Sequence, residues 1–493
     1  MINLFWLGFQ NIFQINVLSV IFAGTFFGIV FGAIPGLTAT MGVALLLPFT
    51  FKMDPITGIA LLIAIYIGGI SGGLVSATLL RMPGTPASVA TTFDGYPMAK
   101  KGRPGKALGI GIFSSFIGGI STAFGLAFLA PIVAKFSLKF GFFEYFSLGI
   151  FALTIVVTLS KGGMVKGLLS GFFGLLISMF GAAPIDMASR FNFGIKAMKG
   201  GFSLLPVLIG LFAVSKILSE VGISSNLLVP RVDPKDIYPP LSFFKKEWVN
   251  FIRSTLIGFF IGTLPGVGAS VANIISYGQA KSASKHPEKF GTGCEEGIVA
   301  SETANNAVTG GAIIPLITMG IPGDSVTAIL LGGLMIHGLH PGPLLFKYNS
   351  DIVYSIFASV FIANIFMFIT MLIGIRIFIS LLKISKEYLL PIIMVTCIIG
   401  SFALNNRMFD VWTLIIFGVI GFMLEKNNFP FPPIILGIVL EPIIETNLRQ
   451  GLMASNGSFL PIITQPISLI FIIIALLFII SQFTFKKNKH ISL

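Results

Sequence analysis

A proline-glycine break occurs in both halves of the chain, each time inside a strongly apolar segment. Residues 32–40 read GAIPGLTAT and residues 262–270 read GTLPGVGAS. Proline removes a backbone donor and glycine adopts backbone angles that other residues resist, so the pair ends a helix. Within a bilayer, broken backbone is tolerated only where protein buries it or where it lines a wet cavity. The repeated break therefore predicts a functional site.

The composition places these segments in a membrane. Hydrophobic residues make up 55% of the 493 residues, charged residues make up 10%, and the mean hydropathy is +0.95. A soluble domain carries roughly 25% charged residues. Several apolar runs approach the length of about 20 residues that crosses a bilayer as a helix, and the alternating pattern of membrane barrels is absent. We predict an all-α, polytopic membrane protein with roughly ten to thirteen transmembrane segments.

The net charge of +13 does not indicate a nucleic-acid partner, because the basic residues fall in short connections between apolar segments. Cys294 and Cys397 form neither a disulfide framework nor a metal set with the four histidines. We therefore expect no cofactor and no metal. The N-terminus has no positive region before its first apolar run, so a cleavable signal peptide is not expected.

Each half carries a second Pro-Gly pair that precedes hydroxyl side chains. These pairs lie in residues 83–88 (PGTPAS) and 322–327 (PGDSVT). The glycine-rich stretch at 68–73 fits either close helix packing or backbone opened for a ligand. Asn305 and Asn306 in the second half align roughly with Gly68 and Gly69 in the first.

The basic loops predict that the two halves are inverted. One basic loop, 100–106, follows the second break of the first half, whereas the other, 281–289, lies between the two breaks of the second half. If both loops are cytoplasmic, the halves enter the membrane in opposite directions, as in transporters built from inverted repeats with broken or re-entrant helices. We predict a first repeat at 1–223, a polar linker at 224–248 and a second repeat at 249–493. The segment around Pro35 and Gly36 fits a re-entrant hairpin or a long helix followed by a short one.

The breaks also predict the chemical class of the ligand. A helix that restarts after a break presents unpaired N–H groups and a positive dipole end, which suit a carboxylate, while freed carbonyl groups suit a cation such as sodium. The predicted substrate-binding residues are Pro35, Gly36, Thr38, Thr40, Gly84, Thr85, Ser88, Gly266, Gly268, Ser270, Asn305, Asn306, Gly323 and Ser325.

Three charged residues have two interpretations each. Asp324, in a nearly uncharged segment, is predicted to couple transport to a cation, or else it caps the helix that follows. Arg81 pairs with a substrate carboxylate or extends to the membrane interface. Glu302 belongs to the solvated margin of a basic loop, unless its proximity to Asn305 gives it a role.

Nucleophile elbows, zinc-protease motifs and phosphate-binding loops are absent from the sequence. We therefore expect that the chain is not an enzyme and does not itself use ATP.

The paired breaks, together with ASETANNA at 300–307 and MGIPGD at 319–324, resemble the large membrane subunit of the tripartite tricarboxylate transporter family, the TctA type. The resemblance covers nearly the whole chain. It implies a permease of the bacterial inner membrane that works with a periplasmic solute-binding protein and a small membrane subunit. Its implied substrates are tricarboxylates or related organic acids, taken up with sodium or protons. A permease of similar architecture for another small solute is the alternative.

Overall fold

The computed structural model describes residues 2–160, 163–222, 232–382, 384 and 386–489, which are almost entirely helical. The helices of the first half are α1 (Ile2–Ile12), α2 (Ile15–Ala33), α3 (Ala39–Thr50), α4 (Pro55–Leu80), α5 (Thr91–Lys100), α6 (Pro104–Ser137), α7 (Phe142–Leu159), α8 (Met164–Ser178), α9 (Leu204–Ile209) and α10 (Ser215–Glu220). A short hairpin pairs β1 (Gly181–Ala182) with β2 (Ser189–Arg190).

The helices of the second half are α11 (Leu241–Gly262), α12 (Gly268–Ala283), α13 (Glu295–Met319), α14 (Ser325–Ile336), α15 (Leu345–Tyr348), α16 (Ser350–Leu381), α17 (Lys386–Asn405), α18 (Met408–Lys426), α19 (Phe431–Ala454), α20 (Pro461–Thr464) and α21 (Pro466–Lys489). Residues 224–231 of the predicted linker lie outside the described residues. Residues 241–248 of that linker already belong to α11, because the polar side chains of its first turns do not interrupt the helix.

Eight helices in the described part of the chain are long and apolar enough to cross a membrane, namely α2, α4, α6, α7, α16, α17, α18 and α19. Shorter apolar helices are α3, α8, α14 and the stretch Pro466–Ser481 of α21. The prediction of an all-α, polytopic membrane protein is confirmed. The predicted number of segments is reached only when the short helices are counted with the long ones.

Helices α2 and α4 run side by side in the same direction. A Cβ atom on Gly24 would lie 2.9 Å from the carbonyl oxygen of Leu61, and one on Gly32, two turns later, would overlap the carbonyl group of Gly69. The glycines therefore let the two backbones touch. Helix α4 continues without a break through residues 68–73, so the close-packing interpretation of that stretch is the right one.

Helix α3 turns back along α4 and forms a re-entrant hairpin with α2. Ala39 at its start lies beside Gly69, whereas Thr50 at its end lies beside Gly58, near the start of α4. The tip of the hairpin is thus level with Gly69, inside the length of α4. Of the two predicted arrangements for the first break, the hairpin is the one observed.

The second half repeats this arrangement with α11, α12 and α13. A Cβ atom on Gly258 of α11 would overlap the carbonyl oxygen of Ala304, and one on Gly262 would lie 2.8 Å from that of Val308. Helix α12 returns along α13, since Tyr277 near its end lies beside Gly297 near the start of α13.

The corresponding helices α4 and α13 are antiparallel. Leu62, near the start of α4, shares a small cavity with Leu316, near the end of α13. Farther along α4, the hydroxyl group of Ser71 donates to Oδ1 of Asn306 at 2.6 Å. An antiparallel pair of equivalent helices is what the predicted inverted repeat requires. The proposed repeat boundaries at 223 and 249 stay a prediction.

Both basic loops lie on one surface, which we call the basic face and define by residues 100–106 and 281–294. The Nζ atom of Lys101 donates to the carbonyl oxygen of Thr292 at 2.7 Å, and Lys106 pairs with Glu295 at 2.5 Å. The positive-inside rule assigns this face to the cytoplasm. Lys52 comes just before the start of α4, whereas the end of α4 leads through α5 to the basic face.

Helix α16 runs antiparallel to α6. Phe361 packs against Phe124 near the end of α6, and Phe368 packs against Phe113 near its start. Because α6 begins at the basic face, α16 ends there. The connection from α16 to α17 therefore lies on the same side as the two basic loops.

Candidate functional site

The Pro-Gly breaks of both halves meet around one cavity of about 100 Å³. We call it the central cavity. Its lining residues are Thr38, Ala39, Thr40, Ile70, Thr85, Pro86, Ala87, Gly266, Val267, Gly268, Ala269, Ser270, Asp324, Ser325, Val326 and Pro432. Eight of the predicted site residues are among them: Thr38, Thr40, Thr85, Gly266, Gly268, Ser270, Asp324 and Ser325. Residues as far apart in the sequence as Thr38 and Pro432 therefore form a single surface.

Three helices begin at the wall of the central cavity. Thr38 caps α3 by accepting a hydrogen bond from the backbone N–H of Met41 at 3.1 Å, α12 starts at Gly268, and α14 starts after Asp324. The first N–H groups of a helix have no partner within it, and each helix N-terminus carries a positive charge of roughly half a unit. The cavity wall is therefore suited to a negatively charged ligand.

The second break of each half packs directly on the first. A Cβ atom on Gly84 would overlap the carbonyl oxygen of Gly32, and one on Gly323 would lie 2.6 Å from that of Gly262. Only a residue without a side chain allows this approach. Gly84 and Gly323 thus hold the breaks together and do not themselves line the cavity.

Asp324 connects the two halves through its carboxylate. Its Oδ1 accepts hydrogen bonds from the backbone N–H of Thr327 at 2.7 Å and from the hydroxyl of Thr327 at 2.8 Å. Its Oδ2 accepts from the hydroxyl of Tyr66, on α4, at 2.6 Å. Asp324 therefore caps α14 and also faces the central cavity. Sequence reasoning missed Tyr66, although a lone tyrosine in the long apolar helix α4 was a signal.

Asn305 and Asn306 lie behind the cavity wall. The amide of Asn305 donates to the carbonyl oxygen of Ala87 at 3.1 Å, and Asn273 donates to the same oxygen. The amide of Asn306 donates to Oδ1 of Asn305 at 2.6 Å. The asparagines therefore hold the turn that carries Thr85 and Ala87 into the cavity.

The alignment of the halves needs a correction. Gly72 packs on the carbonyl group of Ile29 and Gly311 packs on that of Phe259, so these two glycines are equivalent. Counting from them, Asn305 corresponds to Tyr66 and not to Gly68. The glycine runs alone left this register ambiguous.

The remaining predicted residues surround the cavity without lining it. Pro35 is buried in the tip of the first hairpin, and Gly36 faces the carboxyl group of Glu220. The hydroxyl group of Ser88 donates to the carbonyl oxygen of Thr85 at 3.0 Å. Among the described residues, Oγ1 of Thr85 has no hydrogen-bond partner although Thr85 is only 3% exposed. The hydroxyl lies beside Gly73 of α4 and keeps its full hydrogen-bonding capacity.

Two charged residues lie outside the cavity. Arg81 is exposed beyond the end of α4, with its guanidinium group 5.9 Å from the centre of the Tyr96 ring, so the interfacial interpretation is the right one. Glu302 is fully buried, and its assignment to a solvated loop margin was wrong. The part of the chain that the structure describes contains no group of three histidine, cysteine, aspartate or glutamate residues placed to bind a metal ion.

A larger space of about 420 Å³, which we call the vestibule, adjoins the central cavity. The two share six lining residues, among them Gly266, Ser270 and Ser325. The vestibule extends to Glu425 and Asn428, at the connection between α18 and α19.

Lysine–glutamate ion pairs lie at the far end of the vestibule. Lys386, just after the α16–α17 connection, pairs with Glu220 at 2.5 Å. Lys216 pairs with Glu220 at 3.3 Å and with Glu425 at 3.6 Å. Glu220 also faces Gly36, so these ion pairs connect the far end of the vestibule with the tip of the first hairpin.

Comparison with known proteins gives the same family as the sequence motifs. Residues 18–436 match the family described as "Tripartite tricarboxylate transporter TctA family". An Agrobacterium vitis protein described as "Uncharacterized 52.8 kDa protein in TAR-I ttuC' 3'region" is 35% identical over 463 residues, which cover 94% of this chain and 92% of that protein. Another from the same organism, "Uncharacterized protein in TAR-II ttuC' 3'region", is 36% identical over 211 residues, which cover 43% of this chain and 87% of that protein. No solved structure matches the chain.

Proposed function

Because the chain belongs to the tripartite tricarboxylate transporter TctA family, we propose that it is the permease subunit of an uptake system for citrate or a related organic acid, driven by a sodium or proton gradient. The observation that carries the proposal is the single cavity into which the breaks of both halves project. In this proposal the acid occupies the central cavity and leaves through the vestibule.

The lining of the central cavity supports a carboxylate ligand. Three helix N-termini face the cavity and offer N–H donors beyond the two that Thr38 and Asp324 already cap. The hydroxyl groups of Thr38, Thr85, Ser270 and Ser325 add further donors. An acid with several carboxylates requires several positive ends at once, and this arrangement offers them. No lysine or arginine is among the lining residues, so the site relies on dipoles and hydrogen bonds for its positive potential.

Asp324 supports coupling to a cation. A carboxylate substrate in the central cavity would be repelled by the Asp324 carboxylate, and like charges at close range are costly where water is excluded. A cation that enters with the substrate offsets this repulsion. Binding of either ion then favours binding of the other, which is the thermodynamic basis of symport.

The family also supports two partners and a location. We propose that a periplasmic solute-binding protein delivers the acid to the face opposite the basic face, and that a small membrane subunit completes the complex in the bacterial inner membrane. The basic face would then be cytoplasmic, as its lysines favour.

Uptake of labelled citrate into proteoliposomes tests the proposal. The vesicles contain the chain and its small subunit, the binding protein is added outside, and imposed sodium and proton gradients are compared with no gradient. We expect accumulation only with a gradient. The variants Thr38→Val and Ser325→Ala should raise the substrate concentration for half-maximal uptake about tenfold, since a lost hydrogen bond to a charged group costs about 1.5 kcal/mol.

Thr396→Val is the matched control, because its hydroxyl is exposed on α17 and bonds within its own helix. It should leave uptake unchanged. Uptake that ignores both gradients contradicts secondary transport. Competition by an unrelated solute, but not by organic acids, contradicts the substrate class.

A further inference from the structure

Glu302, in the middle of the contact between the two halves, is buried, and hydroxyl groups from the first half lie against both oxygens of its carboxyl group. Its side chain is 0% exposed. The hydroxyl of Thr91, on α5, lies 2.5 Å from Oε1, and that of Ser115, on α6, lies 3.0 Å from Oε2. The Thr91 hydroxyl also lies 3.1 Å from Oγ of Ser301.

Among the residues that the structure describes, no lysine, arginine or histidine forms an ion pair with Glu302. The charged or titratable side chains on the helices packed around the first half of α13 are Tyr66 on α4, Asp94, Tyr96 and Lys100 on α5, Lys106 and Lys135 on α6, Lys245, Lys246, Glu247 and Arg253 on α11, and Tyr277 and Lys281 on α12. Several of these groups have other partners: Tyr66 donates to Asp324, Lys106 pairs with Glu295, and Tyr277 donates to Asp94 at 2.8 Å. None forms an ion pair with Glu302 within the described part of the chain. A bare carboxylate is costly in such a place unless it takes up a proton or binds a cation.

The partners of Glu302 suit both of its protonation states. A hydroxyl group donates to a carboxylate and can equally accept from a carboxylic acid, whereas a backbone N–H group only donates. Asp324, which is held by the N–H of Thr327, is satisfied as the anion. Each carboxyl oxygen of Glu302 has a hydroxyl partner, and the Asn305 amide also interacts with the carboxyl group. Rotation of the two hydroxyl groups can therefore follow gain or loss of a proton.

The space around Glu302 fits a proton and not a metal ion. Glu302 lines neither the central cavity nor the vestibule. The oxygens of Glu302 and Thr91 are in direct hydrogen-bond contact, which leaves no gap for an ion between them. We propose that Glu302 is a proton-carrying site of this transporter, separate from the central cavity, whose protonation is coupled to substrate movement.

The connection to the central cavity runs through α5 and α13. Thr91 is the first residue of α5 and closely follows the turn that places Thr85 and Ala87 in the cavity wall. Asn305, one turn after Glu302 on α13, donates to the carbonyl oxygen of Ala87. A change in the hydrogen bond between Glu302 and Thr91 therefore acts on the segment that contacts the ligand. This inference takes the identity of the substrate from the proposed function. The proton site itself does not depend on that function.

Infrared spectroscopy of the purified chain tests the proton directly. Acidification should produce the carbonyl stretching band of a buried protonated carboxyl group, and this band should be missing in Glu302→Gln but present in Glu296→Gln, a control on the first turn of the same helix. Ser115→Ala keeps the carboxyl and removes one hydroxyl partner, so it should shift the midpoint of the band. Identical difference spectra for the wild type and Glu302→Gln overturn the proposal, as does an unchanged midpoint in Ser115→Ala.

Transport measurements separate this proposal from the proposed function. Counterflow of labelled against unlabelled citrate needs binding and translocation but no net movement of protons. A gradient of one pH unit supports about tenfold accumulation for each coupled proton, since about 1.4 kcal/mol is a factor of ten. Glu302→Gln should keep counterflow and lose this accumulation, whereas Glu296→Gln should keep both. Wild-type protein without counterflow contradicts the proposed function, and Glu302→Gln with full pH-driven accumulation contradicts the proton site.

Discussion

The hydroxyl oxygen of Tyr66 lies 2.6 Å from Oδ2 of Asp324, so the middle helix of the first half supports the second break of the second half. The reverse contact also exists, because Asn305 on α13 donates to the carbonyl oxygen of Ala87 in the second break of the first half. Tyr66 and Asn305 are equivalent positions, each 17 residues before the proline of its second Pro-Gly pair. Each half therefore fixes the cavity wall of the other, and the site requires both.

Tyr66→Phe should destabilise the protein by about 1–3 kcal/mol, because it leaves a buried carboxylate oxygen without its donor. It should also weaken gradient-driven uptake more than counterflow if Asp324 takes part in cation coupling. Thermal unfolding in detergent and vesicle uptake measure the two effects. The control is Tyr354→Phe on α16, which keeps the ring packing against Phe5. Equal effects of both substitutions would argue against a special role for the Tyr66 hydroxyl.

Thr85→Val should leave stability nearly unchanged and weaken substrate binding. The Thr85 hydroxyl is buried without a partner in the described structure, so its loss removes no internal hydrogen bond, while a ligand loses a donor. Thr327→Val is the comparison, because the Thr327 hydroxyl bonds both the backbone and the carboxylate of Asp324, and it should lower the unfolding temperature. Citrate protection against thermal unfolding measures binding in each variant. Undiminished protection in Thr85→Val contradicts a ligand at this hydroxyl.

Gly84→Ala and Gly323→Ala should each reduce the yield of folded protein. The added methyl group would collide with backbone of the first break, which has no flexible side chain to move, and such overpacking costs about 1–3 kcal/mol. Gly278→Ala is the matched control, since a Cβ atom there meets no neighbour within 4 Å. Monodisperse protein after size-exclusion chromatography gives the comparison. A normal yield from Gly84→Ala would mean that the breaks are not packed as described.

Cysteine labelling tests the inverted arrangement. Lys100→Cys and Lys285→Cys should react with a membrane-impermeant maleimide from one side, and Lys52→Cys from the other, because all three positions are exposed. Burial raises the pKa of the Cys294 thiol, which slows its reaction, and replacement of both native cysteines by serine removes the remaining background. Labelling of Lys52→Cys and Lys285→Cys from the same side contradicts the inversion.

The sequence alone determined that the chain is a helical membrane protein and where its helices break. Apolar runs long enough to cross a bilayer have few alternatives to helix, because every backbone group must find its hydrogen bond within the segment. Pro35, Gly36, Pro265 and Gly266 mark breaks for local reasons of backbone geometry. The family followed from the order of these motifs, which a linear sequence contains in full.

Only the tertiary structure decided which of the predicted residues face the cavity and what their partners are. Thr38 and Ser325 line the cavity, whereas Asn305 and Gly84 lie behind it, because helix rotation and packing between distant segments set these positions. The burial of Glu302 among hydroxyl groups and the contact of Tyr66 with Asp324 join residues from opposite halves. Such contacts depend on how α4 and α13 pass each other, and no local pattern in either segment specifies that crossing.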